Sequence, residues 1–196
     1  SRKVKTVSSV YMTPFERKKQ LRKDMLCLRK TLQSVEKSAK DTAITKKLLD
    51  LDKVKKASVI LPFVSTKDEV DTSDFIAECI KLGKTVAVPR CKDECNMEFC
   101  VISSSSDLEK GMYGIYEPKA YCTVLEAENI TDSILIVPGL CFNDEGFRLG
   151  YGKGYYDRFI SRYKGYSIGV CYKEFMTDEI PTDEYDKPVD TVITDR

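Results

Sequence analysis

The feature that most constrains the fold is an alternation of short apolar runs with segments of helical periodicity, which begins near residue 57. Short, continuous apolar runs are typical of strands that are buried on both faces. They occupy residues 57–61, 85–88, 97–102, 133–137, 167–171 and 189–193, and a helical pattern at 75–82 separates the first two. A strand, a helix and a second strand form a βαβ unit, which favours parallel pairing. We therefore predict an α/β fold, a three-layer α/β/α arrangement with a mainly parallel central sheet.

Two helices are expected before the first strand, packed on the sheet. The segment Thr13-Pro14-Phe15-Glu16 has the residues of a capping box, with proline at the first helical position, where it is tolerated. A stripe of apolar residues at helical spacing follows, formed by Leu21, Met25, Leu28 and Leu32. A second helix is expected over about 36–51.

The first helix also carries cations on a neighbouring face. Lys18, Arg22 and Arg29 fall at i, i+4 and i+11, which places three positive charges in a row. Residues 1–12 lack periodicity, so we predict a mobile N-terminal segment there and a single α/β catalytic domain at 13–196.

The chain of 196 residues contains no histidine. This excludes Ser-His and Cys-His nucleophilic catalysis, imidazole acid/base chemistry and histidine-containing metal sites. Any chemistry must therefore use carboxylates, lysine, arginine, tyrosine, cysteine or backbone amides.

The charge is unevenly distributed. Ten Lys and Arg residues against two acidic ones give residues 1–30 a net charge of +8, and the rest of the chain carries −7. A basic arm of this kind is compatible with nucleic acid, a membrane surface or a phosphorylated small ligand. The sequence lacks an apolar stretch of 18 residues, and its eight cysteines show no short repeated pairs. We expect a soluble cytoplasmic protein with reduced cysteines.

Glycines and charged residues concentrate in 146–158, between the apolar run at 133–137 and a predicted helix. Gly150, Gly152 and Gly154 allow a tight backbone turn that directs several amides towards one point, and Lys153 adds a cation. This pattern indicates a phosphate-binding loop, although it matches neither the Walker nor the Rossmann glycine spacing. The alternative is a loop that needs glycine only for its turns.

Two acidic stretches are further candidates. Residues 67–72 follow the first predicted strand, so their carboxylates should lie at the ligand-facing end of the sheet. Asp71 there is a candidate helix cap. The stretch 181–190 offers a second set of carboxylates for a divalent cation, with a solvated turn as the alternative.

The glycine-rich segment resembles the signature of a known family. Residues 137–146 and 148–159 are similar to the signature of 5-formyltetrahydrofolate cyclo-ligases, also called methenyltetrahydrofolate synthetases. Four further blocks support the resemblance, at 18–22, 68–72, 111–118 and 186–190. The blocks follow the family's order and span nearly the whole chain.

The resemblance implies an ATP- and Mg²⁺-dependent ring closure. 5-Formyltetrahydrofolate, with or without a polyglutamate tail, is converted to 5,10-methenyltetrahydrofolate, and ADP and phosphate are released. The formyl oxygen is phosphorylated first, N10 then attacks the activated carbon, and phosphate leaves. This chemistry depends on positioning and charge neutralisation, which suits a chain without histidine.

The resemblance also implies the residues of the site. ATP is bound by Lys18, Arg22, Arg148, Gly150, Tyr151, Gly152, Lys153, Gly154, Tyr155 and Tyr156. The folate is bound by Arg22, Val64, Glu69, Tyr151, Lys153 and Tyr155. Arg148, Lys153 and Tyr155 act in catalysis, and Asp157 and Asp186 bind Mg²⁺. Many members carry arginine or histidine where Tyr151 stands, so this chain lacks one cationic contact.

Two alternatives remain at this point. Another ATP-dependent ligase or phosphotransferase for a small molecule would use the same loop. A nucleic-acid-binding module would use the basic first 30 residues, but the negative charge of the remaining chain repels a long polyanion. We expect a monomer that acts on a small molecule, without a nucleic-acid or membrane partner.

Overall fold

The computed structural model describes residues 12–196. The segment predicted to be mobile, 1–12, lies outside these residues except for its last position. Everything that follows concerns the described part of the chain.

Residues 12–196 form five α-helices and eleven strands, with four short 3-10 helices among the connections. The helices are α1 (Pro14–Arg29), α2 (Ser34–Asp50), α3 (Asp52–Lys56), α4 (Ser73–Lys81) and α5 (Tyr155–Ile160). None of these described helices is long and apolar enough to cross a membrane. The strands are β1 (Val59–Leu61), β2 (Thr85–Cys91), β3 (Met97–Ile102), β4 (Leu108–Lys110), β5 (Tyr116–Pro118), β6 (Val124–Leu125), β7 (Ser133–Val137), β8 (Cys141–Phe142), β9 (Arg148–Leu149), β10 (Tyr166–Val170) and β11 (Thr191–Ile193).

Seven strands form the central sheet, in the order β11-β10-β7-β1-β2-β3-β6. The five strands from β11 to β2 are parallel, and β3 and β6 extend one edge in antiparallel fashion. The predicted mainly parallel α/β sheet is confirmed. Two short antiparallel hairpins, β4–β5 and β8–β9, lie outside the sheet.

The sheet has a topological switch point between β1 and β7. From β1 the chain passes through α4 to β2 on one side, whereas from β7 it passes through α5 to β10 on the other. Because parallel crossovers are right-handed, the two helices cover opposite faces of the sheet. The loops that follow β1 and β7 diverge at this point, and the crevice between them is where such sheets bind ligands.

The position of the strands in the core explains why the sequence runs that form them are apolar. All five residues of β7 are buried, because helices cover both faces of the parallel strands. The terminal strand β11 starts two residues later than its apolar run. Val189 instead donates its amide to the carbonyl of Gly146, outside the sheet, and Asp190 donates to the carbonyl of Ser167 on β10, just before the first paired residue, Thr191.

The start of α1 confirms the capping box. The Glu16 amide donates to Oγ1 of Thr13, and the Thr13 amide donates to the Glu16 carboxylate. The predicted apolar stripe of this helix is only partly confirmed. Leu21 is buried, but Leu28 is 40% exposed. The polar contacts described below explain how α1 is held with so little apolar burial.

Replacing Thr13 with alanine should therefore lower the free energy of unfolding by about 1 kcal/mol, because an orphan amide of α1 loses its side-chain acceptor. Thr13→Ser keeps the acceptor oxygen, so its free energy of unfolding should stay close to that of the parent protein. Chemical denaturation of the three proteins measures both changes. Equal loss in the serine and alanine variants would contradict the capping role.

Candidate active site

The candidate site lies at the carboxyl edge of the sheet, beside the switch point. Four segments meet there: the loop 62–72 after β1, the turn 138–140 after β7, the β8–β9 hairpin and the glycine-rich loop 150–154 that leads into α5. Side chains of helix α1 contact three of these segments, the loop 62–72, the turn 138–140 and the glycine-rich loop.

The glycine-rich loop turns through backbone conformations that favour glycine. Gly152 and Gly154 have φ values of +100° and +73°, in the left-handed region. Gly150 is required for a different reason, because a Cβ atom there would lie 2.7 Å from Nη1 of Arg148. The loop is therefore shaped to admit the Arg148 side chain beneath it.

Arg148 is a half-buried cation with few partners. Its Nη1 donates to the carbonyl of Pro138 over 3.1 Å, and its guanidinium carbon lies 5.2 Å from the centre of the Tyr156 ring. Its Nε is buried and has no hydrogen-bond partner among the described residues. Burial lowers the pKa of this guanidinium. An anion bound here would accept a hydrogen bond from Nε and compensate the cost of burying the positive charge.

Lys18 and Asp186, 168 residues apart in the chain, are paired. Nζ of Lys18 lies 3.0 Å from Oδ2 of Asp186. Asp157 lies near this pair. Burial raises the pKa of its carboxyl, the charge of Arg148 lowers it and the charge of Asp186 raises it again. A predicted phosphate ligand and both predicted metal ligands thus share one small region.

This region fits Mg²⁺ held jointly with phosphates. Mg²⁺ is usually bound through one or two carboxylates, water and substrate phosphate oxygens. Asp157 and Asp186 supply such carboxylates. Residues 12–196 contain no cluster of three or more acidic, cysteine or histidine side chains that would form an all-protein cage.

Arg22 ties α1 to the glycine-rich loop. Its Nε donates to the carbonyl of Gly150 over 2.9 Å, and its guanidinium carbon would lie 3.7 Å from a Cβ at Gly152. Of the three cations in the row on α1, Arg22 is thus the one that contacts the glycine-rich loop.

Glu69 lies on the other side of the crevice. Its Oε1 accepts the amide of Thr66 over 2.9 Å. Burial raises the pKa of this carboxyl, whereas the Thr66 hydrogen bond and the charge of Arg29 lower it. The charge of Glu69 adds to burial in raising the pKa of Tyr151, so these two side chains lie within electrostatic range.

Lys153 and Tyr155 lie at the outer wall of the site. Lys153 is exposed, and its Nζ lies 4.9 Å from the centre of the Tyr113 ring. The Tyr155 hydroxyl donates to the carbonyl of Asp93 over 3.3 Å. Tyr113 lies in the turn between β4 and β5, and Asp93 lies in the turn between β2 and β3, so the two side chains contact two different hairpins.

Val64 lines a separate groove. This groove has a volume of about 630 Å³, and its lining comes from α2, the loop after β1, α4 and residues 102–108. Thr66 borders it and also binds Glu69, so the groove adjoins the folate side of the predicted site. Asp71 is confirmed as a capping residue, because its Oδ1 accepts the amide of Ser73 at the start of α4.

Two arginines have contacts that the sequence did not reveal. Arg29, noted only as the third cation of a row, is buried and binds three backbone carbonyls. Arg158 was given no role, yet its Nη2 donates to the carbonyl of Lys153 over 2.6 Å and its Nε donates to that of Cys95. Backbone carbonyl acceptors leave no signal in a sequence pattern, so these contacts were not predictable.

The fold and this site define an α/β enzyme with a cationic, carboxylate-containing site at the carboxyl edge of a parallel sheet. The sequence model of the 5-formyltetrahydrofolate cyclo-ligase family matches residues 14–195. The chain belongs to that family, a family of ligases, and the resemblance noted in the sequence is confirmed.

Individual relatives agree with this assignment. The chain is 30% identical to the 5-formyltetrahydrofolate cyclo-ligase of Mus musculus, over 90% of this chain and 92% of the relative. It is 31% identical to the Mycoplasma genitalium protein of the same name, over 90% and 96% of the two chains. Among solved structures, the 5,10-methenyltetrahydrofolate synthetase of Aquifex aeolicus superposes with a TM-score of 0.80 at 31% identity, covering 91% of this chain and 90% of that one. The Mycoplasma pneumoniae synthetase gives 0.74 at 27% identity, covering 91% and 99%.

The glycine-rich loop can be tested as an anion site with a matched pair of variants. Gly152→Ala and Gly83→Ala both place a side chain at positive φ without a close clash, so each should cost about 1–2 kcal/mol of stability. Only Gly152→Ala should weaken binding of inorganic triphosphate, by about tenfold (~1.4 kcal/mol). Titration calorimetry measures the affinity. Equal weakening in both variants would assign the loss to general destabilisation.

Proposed function

We propose that the protein converts 5-formyltetrahydrofolate to 5,10-methenyltetrahydrofolate with consumption of ATP, in the presence of Mg²⁺, and with release of ADP and phosphate. The observation that carries the proposal is the ion pair between Lys18 and Asp186, beside Asp157 and Arg148. It joins the cations proposed for the triphosphate to the carboxylates proposed for the metal. Family membership supplies the folate substrate.

On the phosphate side, Lys18, Arg22, Arg148 and Lys153 provide positive charge around the glycine-rich loop. The amides of Gly150, Tyr151, Gly152, Gly154, Tyr155 and Tyr156 add hydrogen-bond donors. Arg148 is the best-placed of the cations to act in the transition state, because it lies near Asp157 and has a single hydrogen bond among the described residues, whereas Arg29, whose Nε is also buried without a partner, already holds three carbonyls.

Mg²⁺ would be held by Asp157 and Asp186 together with the phosphates, and its charge would offset the charge that develops during transfer. The raised pKa of Asp157 agrees with this role, because a carboxyl buried near another carboxylate is stabilised by an added cation. Lys18, once Asp186 has a new partner, is free to bind a phosphate oxygen.

On the folate side, the Glu69 carboxylate would accept hydrogen bonds from pterin N–H groups, with Tyr151 nearby. Arg22, Lys153 and Tyr155 would lie where the two substrates meet. The groove beside Val64 is within the size range of small-molecule sites, about 300–1,000 Å³. We propose that it takes the part of the folate that extends from the pterin.

The chemistry requires alignment more than a protein nucleophile. The formyl oxygen attacks the terminal phosphorus of ATP and ADP leaves. N10 then attacks the activated carbon, loses its proton, and phosphate departs as the methenyl ring forms. A site of fixed donors and cations accelerates both steps by orientation and charge stabilisation, so no histidine is needed.

We further propose that residues 13–196 form one catalytic domain that acts as a cytoplasmic monomer on a small molecule. No specific observation favours a nucleic-acid-binding role or a different small-molecule substrate over this proposal.

The first test is to mix the purified protein with 5-formyltetrahydrofolate and Mg²⁺, with and without ATP, and to follow the near-ultraviolet absorbance of the methenyl product. We expect a rise that depends on ATP and disappears when the metal is chelated. A folded protein that binds ATP but gives no rise would refute the substrate assignment.

Lys153 offers a sharper test of the site. Lys153→Ala should lower kcat/KM about 100-fold (~2.7 kcal/mol), because a mobile cation at the substrate junction is lost. Its stability should be unchanged, since the side chain is exposed. The matched control is Lys81→Ala, another exposed lysine at the end of α4, which should keep full turnover. Normal kinetics in Lys153→Ala would remove this residue from the site.

A further inference from the structure

Arg29 is the most deeply placed cation of α1, with 8% of its surface exposed. Its Nη1 donates to the carbonyl of Asp68 over 2.7 Å, and its Nη2 donates to those of Gly139 and Leu140 over 2.7 and 3.0 Å. Its guanidinium carbon lies 4.5 Å from the centre of the Phe175 ring. No carboxylate of the described chain forms an ion pair with it.

The acceptors belong to two different loops. Asp68 precedes Glu69 in the loop after β1, on the proposed folate side. Gly139 and Leu140 follow β7, on the side that carries the hairpin of Arg148. One planar guanidinium thus spans the two loops that diverge at the switch point of the sheet.

The turn 138–140 is held by two arginines. Arg148 donates to the carbonyl of Pro138, and Arg29 donates to the next two carbonyls along the chain. The position of the turn 138–140 therefore sets where Arg148 lies relative to Arg29. Through Asp68, the same Arg29 side chain sets where Glu69 lies.

We propose that Arg29 is a positioning residue that holds the loop 62–72, which carries Glu69, and the turn 138–140, which binds Arg148, at the separation needed for transfer between the two bound substrates. This inference rests on the proposed function. Arg29 itself touches neither reacting group; it acts by fixing the residues that do. Each substrate retains its own contacts when Arg29 is lost, but the reacting atoms are no longer aligned.

The expected consequence is a fall in turnover with little change in binding. A misplacement of about 1 Å in an active site costs about 100-fold in rate. Arg29→Gln, which keeps one donor group but not the charge or the fork, should therefore lower kcat about 100-fold. The KM values for ATP and folate should stay within about threefold of the parent values.

The charge of Arg29 has a separate readout. Glu69 faces Arg29 on α1, Asp68 on its own loop, and the hydroxyls of Tyr151 and Tyr156. Of these groups, only Arg29 lowers the pKa of Glu69 by its charge. Arg29→Gln should raise that pKa further, so the acidic limb of the kcat/KM profile for folate should move to higher pH.

Arg29→Lys separates geometry from charge. It keeps a positive charge near Glu69, so the acidic limb should stay at its parent position. A compact ammonium cannot reproduce the fork across both loops, so kcat should still fall at least about tenfold. The stability control is Ile44→Ala, a fully buried residue of α2, which should lower Tm while leaving kcat and the pH profile unchanged below the transition.

Hydrogen exchange makes the test independent of turnover. Amides in 62–72 and 138–142 should exchange faster in Arg29→Gln and Arg29→Lys than in Ile44→Ala or the parent. Unchanged exchange in both loops would overturn the proposal, even if the parent shows no cyclo-ligase turnover and the proposed function itself fails. A raised KM with normal kcat in Arg29→Gln would also overturn the proposal, as would an Ile44→Ala variant with the same loss of kcat. Should Arg29→Gln fail to fold, the kcat of Arg29→Lys decides, and a value within threefold of the parent overturns the proposal.

Discussion

The structure depends on the acceptors that bind the lysine and arginine side chains of helix α1. Helix α1 buries little apolar surface, and Leu21 is its one buried hydrophobic residue. It is attached instead by Lys18 on a carboxylate, Arg22 on one backbone carbonyl and Arg29 on three. Burying a cation is unfavourable unless donors find acceptors, so these contacts are obligatory once the helix docks. The acceptors lie on the site loops, and docking α1 therefore also orders the site.

This arrangement places charge where an anion can use it. Arg29 donates to three carbonyls through its Nη atoms and so holds the loops, whereas Arg148 donates to one carbonyl; the Nε atom of each is buried without a partner in the described chain. Lys18 and Asp186 satisfy one another, and each is a group that a phosphate or a divalent cation would take up separately. Arg29 thus fixes the shape of the site, whereas Arg148 and Lys18 are the cations that an anionic ligand could bind.

Fold and site were predictable to different degrees. The apolar runs predicted β3 and β7 with the bounds that the structure has, because β7 is buried throughout and β3 buries four of its six residues. The capping box predicted the start of α1 for the same local reason. The antiparallel edge formed by β3 and β6 was not visible, since pairing direction depends on partners distant in the chain. Leu28 was assigned to the core by its spacing, but α1 turns its cationic face inward instead.

The candidate residues came from family motifs, and the structure adds the reason that those around Glu69 and Arg148 lie near one another. The loops after β1 and β7 separate at the switch point and leave a crevice there. Without Arg29, the part-buried carbonyls of Asp68 and Gly139 and the buried carbonyl of Leu140 would lose the donor that Arg29 provides, and an unpaired carbonyl is unfavourable where water is excluded. Arg29 satisfies all three and thereby links the two halves of the site. In the proposed function, a chain without histidine would carry out a two-substrate transfer on such a frame, with alignment by fixed backbone contacts in place of proton transfer by an imidazole.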